Sequence, residues 1–188
     1  LEFGMAHVFP EAAEKILSQP GLDFVIGSSH NLSPELGGVD FCLQDYSTLD
    51  KCYWALDDYF ESMLKMASAG YYDVLGHIIY PLRYMKGNYP EAPSVKRYTD
   101  HIVEMMRIAV DSGKGIEINT WKGQTLAEWI PILKLYKQVH GEIITVGSDA
   151  HAPEPVGKGI KEAYELMKDC GFKYTAVYHE RKPEMIRI

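Results

Sequence analysis

The stretch Ile143-Ile144-Thr145-Val146-Gly147-Ser148-Asp149-Ala150-His151-Ala152-Pro153 sets the pattern for the whole chain. Its first four residues are β-branched and read as a buried strand, which Gly147 ends. Asp149 and His151 follow two residues apart. Continued extended geometry sends both side chains to the same side of the chain. A carboxylate and an imidazole aimed together from a strand end make half of a metal site. The same pair also occurs in turns, where the Asp caps a helix.

Outward from this stretch the same arrangement recurs. Residues 23–27, Asp-Phe-Val-Ile-Gly, form a compact strand that runs out into Ser28-Ser29-His30. Residues 73–77, Asp-Val-Leu-Gly-His, form a second strand ending on His77. A third, at residues 115–119, ends on Asn119, and the last strand covers residues 174–178. Between them lie apolar positions at three- and four-residue steps. They predict helices over about 48–69, 99–112, 126–139 and 156–170, with Thr48 as an N-cap and Gly70, Gly113, Gly141 and Gly171 as stops, and a short helix over about 10–18 precedes the first strand. Five strands separated by four helices, in strict alternation, are the pattern of parallel βαβ units in an α/β fold. His30, His77, Asn119, Asp149 and His151 all fall at C-terminal strand ends, the face that carries chemistry in parallel α/β proteins and β/α barrels. Either histidine alone could simply bond a backbone carbonyl. Both of them converging with Asp149 and His151 on one rim favours a metal cluster. Glu2 joins that cluster if residues before it form a strand.

Composition narrows the rest. At 188 residues the chain is long enough for one domain with a full core. The formal net charge is −7 and the basic residues are scattered, which argues against a nucleic-acid groove. No apolar run has the length of a membrane span, and no signal peptide is visible. Cys42, Cys52 and Cys170 lack a Cys-x-x-Cys spacing and read as reduced thiols of a cytoplasmic protein. The segment 79–95 holds four loop breakers, Pro81, Gly87, Pro90 and Pro93, and reads as a long loop. Arg83 and Tyr84 lie in it. A guanidinium beside a metal site matches the fork of a phosphate, though an Arg there could also pair with a surface carboxylate. Lys122 is a weaker second cation. His101 and His140 read as structural, and His7 and His179 as surface-loop residues.

Several of these motifs resemble the PHP (polymerase and histidinol phosphatase) metallohydrolases, in particular their histidinol-phosphatase branch. They are Gly147-Ser148-Asp149-Ala150-His151, Phe24-Val25-Ile26-Gly27-Ser28-Ser29-His30, Val74-Leu75-Gly76-His77, Glu117-Ile118-Asn119-Thr120 and Arg181-Lys182-Pro183. The resemblance runs over essentially the whole chain. It implies a distorted (β/α)₇ barrel of TIM-like type, with two or three divalent ions (Zn, Mn or Fe) on the C-terminal rim. It further implies that Glu2 bridges ions, that His30 and His77 bind the ion Glu2 binds, and that Asp149 and His151 each bind another. Arg83 and Tyr84 would hold the substrate phosphate, and Asp149 or His151 would assist the leaving group. The implied activity is metal-assisted hydrolysis of histidinol phosphate within histidine biosynthesis. Another small phosphate ester, or a catalytically impaired fragment that only binds, are the alternatives. Family members open with a strand bearing His-x-His, and nothing of the kind precedes Leu1. The expectation is one PHP-type domain over residues 1–188, missing its first strand, whose absent ligands a longer chain would supply. The oligomeric state is not fixed by these motifs.

Overall fold

Helix α2 (Leu49–Ala69) shows most directly how the sequence builds the fold. Thr48 accepts a hydrogen bond from the Lys51 N–H at its start, and Gly70 closes it in the left-handed conformation at φ +74°. Its buried side, Cys52, Ala55, Leu56, Tyr59, Phe60, Met63, Met66 and Ala67, repeats at helical spacing. The computed structural model describes residues 1–87 and 89–188. The predicted 79–95 loop therefore includes one residue, Asn88, outside the described residues.

The remaining helices are α1 (Pro10–Leu17), α3 (Thr99–Asp111), α4 (Trp129–Gln138) and α5 (Ile160–Asp169). The last two begin three and four residues later than the apolar pattern suggests, because turns at 126–128 and 156–159 lead into them. None of the described helices is long and apolar enough to cross a membrane.

Five short strands form one parallel sheet in sequence order: β1 (Glu2–Gly4), β2 (Ile26–Ser28), β3 (Val74–Leu75), β4 (Gly115–Asn119) and β5 (Ile144–Gly147). Close approach between neighbouring segments of the sheet is bought with glycine at two points. A β-carbon on Gly27 would stand 2.7 Å from the Tyr72 Cβ, and one on Gly115 would stand 2.3 Å from the Ile143 carbonyl. The large buried side chains of the main core include Trp129, Tyr59, Tyr72, Tyr136, Phe41 and Phe60. A mixed α/β fold with a parallel sheet is therefore present.

Two features depart from the strand pattern read in the sequence. Residues 2–4 form a strand of their own, so Glu2 sits on regular structure. The last segment does not extend the parallel sheet: β6 (Tyr174–His179) pairs antiparallel with β7 (Lys182–Arg187). Glu180 and Arg181 connect them with φ of +48° and +65°. A two-residue hairpin turn of this hand normally selects Asn-Gly or Asp-Gly, so Glu-Arg gives no local signal. Long-range bonds offset its strain. Asp23 accepts from the Glu180 N–H through its side chain and from the Arg181 N–H through its carbonyl, both at 2.9 Å. Arg181 Nε meets Asp73 Oδ2 at 2.5 Å. Ala176 and Tyr178 of β6 then pack with Val74, Phe24, Ile26 and Ile143.

Candidate metal centre

Three of the predicted residues come together. Glu2 opens β1, His30 lies two residues past β2, and His77 lies two residues past β3. Glu2 Oε1 is 3.0 Å from His30 Nε2 and 2.9 Å from His77 Nε2, and the two ring nitrogens are 3.1 Å apart. The parallel register Glu2↔Ile26↔Val74 brings the strands that carry them side by side. Hydrogen bonds from His30, then from His77, hold the Glu2 carboxyl far below the usual carboxylate range, against the opposing effect of its burial.

The donor set fits a divalent transition metal. One carboxylate oxygen and two imidazole nitrogens are the ligands of many catalytic zinc sites. Two ligands at about 2.05 Å from a tetrahedral zinc stand roughly 3.3 Å apart, close to the spacing found here. His77 is nearly closed off while the Glu2 and His30 side chains are 40% and 32% exposed, so the group is open on one side. His77 Nδ1 is buried and has no hydrogen-bond partner among the described residues.

Asp149 and His151 do not join this cluster among the described residues, although His151 Nδ1 stands 3.6 Å from Asp149 Oδ1. The extended geometry expected for Asp-x-His ends at Gly147. Asp149 has a φ of +54°, so the alternation of a strand does not carry past it. Its side chain is 16% exposed, whereas that of His151 is 72% exposed. His151 Nδ1 lies 3.0 Å from the Asp149 carbonyl oxygen.

Asp149 instead meets Arg83, the carboxylate pairing that the sequence leaves open beside a phosphate role. Arg83 belongs to a short 3₁₀ turn, Tyr80–Arg83, buried inside what reads as an open loop. Its guanidinium donates from Nη1 to Asp149 Oδ2 at 2.7 Å. It lies over the Tyr80 ring at 4.6 Å and the Trp121 ring at 4.1 Å. Asn119, at the end of β4, accepts from the Trp121 N–H at 2.9 Å and from Arg83 Nη2 at 3.5 Å. The Asn119 carbonyl in turn accepts from the Trp129 indole at 2.9 Å. Lys122 stacks on the Trp121 ring at 4.4 Å, and Tyr84 donates to the Tyr80 hydroxyl at 3.1 Å.

Tyr80 is a residue that the sequence reading missed. Its ring lies 4.8 Å from that of His30 and 5.0 Å from that of His77, and Arg83 covers it as well. It is thus a shared wall between the carboxylate–imidazole cluster and the guanidinium. With thirteen tyrosines in the chain, nothing local singles it out. His101 is partly exposed, with its Nε2 3.2 Å from Glu61 Oε1.

A parallel α/β sheet whose strand ends bear imidazole, carboxylate and amide groups defines a class of chain, and comparison with known proteins narrows it. Residues 1–121 match the PHP domain family. A probable histidinol-phosphatase of Clostridium acetobutylicum is 30% identical over 186 residues, covering 97% of this chain and 70% of that protein. A histidinol-phosphatase of Lactococcus lactis subsp. lactis is 27% identical over 190 residues, covering 97% and 68%. The crystal structure of histidinol phosphate phosphatase from the same organism, complexed with zinc, L-histidinol and phosphate, superposes with a TM-score of 0.79 at 28% identity. That superposition covers 98% of this chain and 70% of the other. The chain belongs to the PHP family and resembles its histidinol-phosphatases.

Proposed function

We propose that this chain serves the metal-dependent hydrolysis of a small phosphate monoester, histidinol phosphate. The observation that carries the reading is the meeting of Glu2, His30 and His77, whose ligand atoms all lie within 4.8 Å of one another. The names of the relatives, and the zinc, histidinol and phosphate bound by the Lactococcus protein, supply the substrate and the metal class. When bound, a divalent ion contributes Lewis acidity at phosphoryl oxygens and acidifies water for attack.

The residues of the chain divide the remaining work. Glu2, His30 and His77 hold one ion, of Zn, Mn or Fe type, and Asp149 and His151 contribute to further ions. Arg83 binds the phosphate. Stacking between Tyr80 and Trp121 orients its guanidinium before substrate arrives, and two of its five donors are engaged in the contacts described. Tyr84 closes the phosphate side. Asp149 or His151 passes a proton to the departing alkoxide.

The sheet is read as part of a distorted β/α barrel, and residues 1–188 as belonging to one PHP-type domain. In support, five consecutive strands lie side by side in parallel order, and this chain spans about 70% of the Clostridium relative and of the superposed structure. The free thiols suit a cytoplasmic setting.

Phosphate release from histidinol phosphate, measured with added Zn or Mn and again after chelation, tests the activity. Turnover that chelation abolishes and metal restores supports it. Metal bound without turnover on a panel of small phosphate esters would reduce the chain to a binding role. Failure to bind any divalent metal would end the metal reading.

A further inference from the structure

We propose that Glu117 is a positioning residue for the candidate metal centre: its buried carboxylate holds the ends of β3 and β5 in the geometry that aims His77. The inference rests on the metal reading above and adds to it a residue outside the candidate ligands.

Glu117 occupies the middle of β4, between Ile116 and Ile118, and is 6% exposed. A position flanked in this way ordinarily takes an apolar side chain, since a buried carboxylate loses its hydration. No lysine, arginine or histidine forms an ion pair with it among the described residues. Burial pushes its carboxyl pKa upward. Such a group persists where the structure uses it.

Two contacts show the use. Glu117 Oε2 accepts the His77 backbone N–H at 3.1 Å. His77 has a φ of +24°, in the region that side-chain-bearing residues rarely adopt. The parallel ladder ends one residue earlier, where the Gly76 N–H bonds the Gly27 carbonyl. The next N–H has left the sheet, and the carboxylate receives it. Tyr59 of α2 holds the other end of the same residue, donating its hydroxyl to the His77 carbonyl at 3.1 Å. Two side chains from different elements therefore fasten the His77 backbone, while its Nε2 faces Glu2 and His30.

The second contact is made by space. A β-carbon on Gly147 would stand 2.4 Å from Glu117 Oε1. Gly147 is not in a positive-φ conformation, so the room its missing side chain leaves for this oxygen explains the glycine. Gly147 closes β5 and lies two residues before Asp149. One carboxylate thus sits between the two strand ends from which His77 and Asp149 depart. Removal of an outer partner of a metal ligand ordinarily costs about 10–100-fold in metal affinity.

The test is a cobalt(II) titration of the full chain, followed by visible absorption and calorimetry, for the wild type, Glu117→Gln, Glu117→Leu and Gly147→Ala. Circular dichroism monitors folding, and amide NMR follows the His77 N–H. The glutamine keeps a carbonyl oxygen that can accept this N–H, so Glu117→Gln is expected to bind cobalt nearly as the wild type does. Glu117→Leu and Gly147→Ala are expected to bind at least roughly 10-fold more weakly. Their cobalt bands and His77 amide resonance should also shift. If the leucine variant fails to fold, the contrast between Glu117→Gln and Gly147→Ala decides. Equal affinity and identical spectra for all folded variants would overturn the positioning role, as would a glutamine variant as impaired as the other two. A wild type that takes up no cobalt overturns the metal reading itself and this inference with it.

Discussion

The two halves of the candidate site are built by different means. Glu2, His30 and His77 come from three adjacent parallel strands, and their ligand atoms stand about one hydrogen bond apart. Asp149, His151 and Arg83 come from a left-handed turn and a buried 3₁₀ turn, and are held by an ion pair and two aromatic faces. Parallel neighbours bring their strand ends together as a consequence of sheet pairing. A turn brings its residues together only where tertiary contacts fix each backbone angle. The first half therefore presents three donors together, whereas the second presents a half-buried acid and an exposed imidazole two residues apart.

The largest effect expected from breaking this comparison lies in the strand-built half. His77→Ala should retain the fold by circular dichroism and abolish hydrolysis. Its loss of metal affinity should exceed the roughly 100-fold that follows removal of an outer partner. Wild-type affinity in the calorimeter would remove His77 from the site.

Arg83→Ala strikes the turn-built half. Leaving Asp149 without its buried partner should cost about 3–5 kcal/mol in denaturant unfolding. A raised KM for the phosphate ester should accompany that loss, while affinity for the first metal stays close to wild type. An unchanged KM and kcat would sink the phosphate role. Tyr80→Leu tests the shared wall. Loss of the cation–π face should cost about 1–2 kcal/mol. Alone among these variants, it should disturb metal affinity and KM together, and a shift in only one would show that the halves are independent. The smallest effect on stability belongs to His151→Ala. At so exposed a position the change should stay within about 0.5 kcal/mol. A fall in kcat without a change in melting temperature would mark the proton-transfer role.

Several elements were legible because their signals are local. Helix α2 announced its cap, its stop and its apolar stripe, and His30 and His77 stood after short apolar runs that end in glycine or serine. Other features carried no such mark. The β6–β7 hairpin turns on Glu180-Arg181, whose left-handed angles are held by Asp23 and Asp73 more than a hundred residues away in sequence. Arg83 is enclosed because Tyr80 and Trp121 converge on it, and a proline-rich stretch read alone suggests solvent. Glu117 did leave a trace, a charge between two isoleucines in a strand, but the reason for it lay on the neighbouring strands.

By itself, the sequence determined the alternation of strands and helices and the set of polar residues that follow strand ends, since both are written in hydrophobic period and in glycine placement. The tertiary structure alone decided which of those residues meet. Strand register, the sign of φ at His77 and Asp149, and the burial of Arg83 depend on contacts between segments distant in the chain, and no local pattern encodes such a contact.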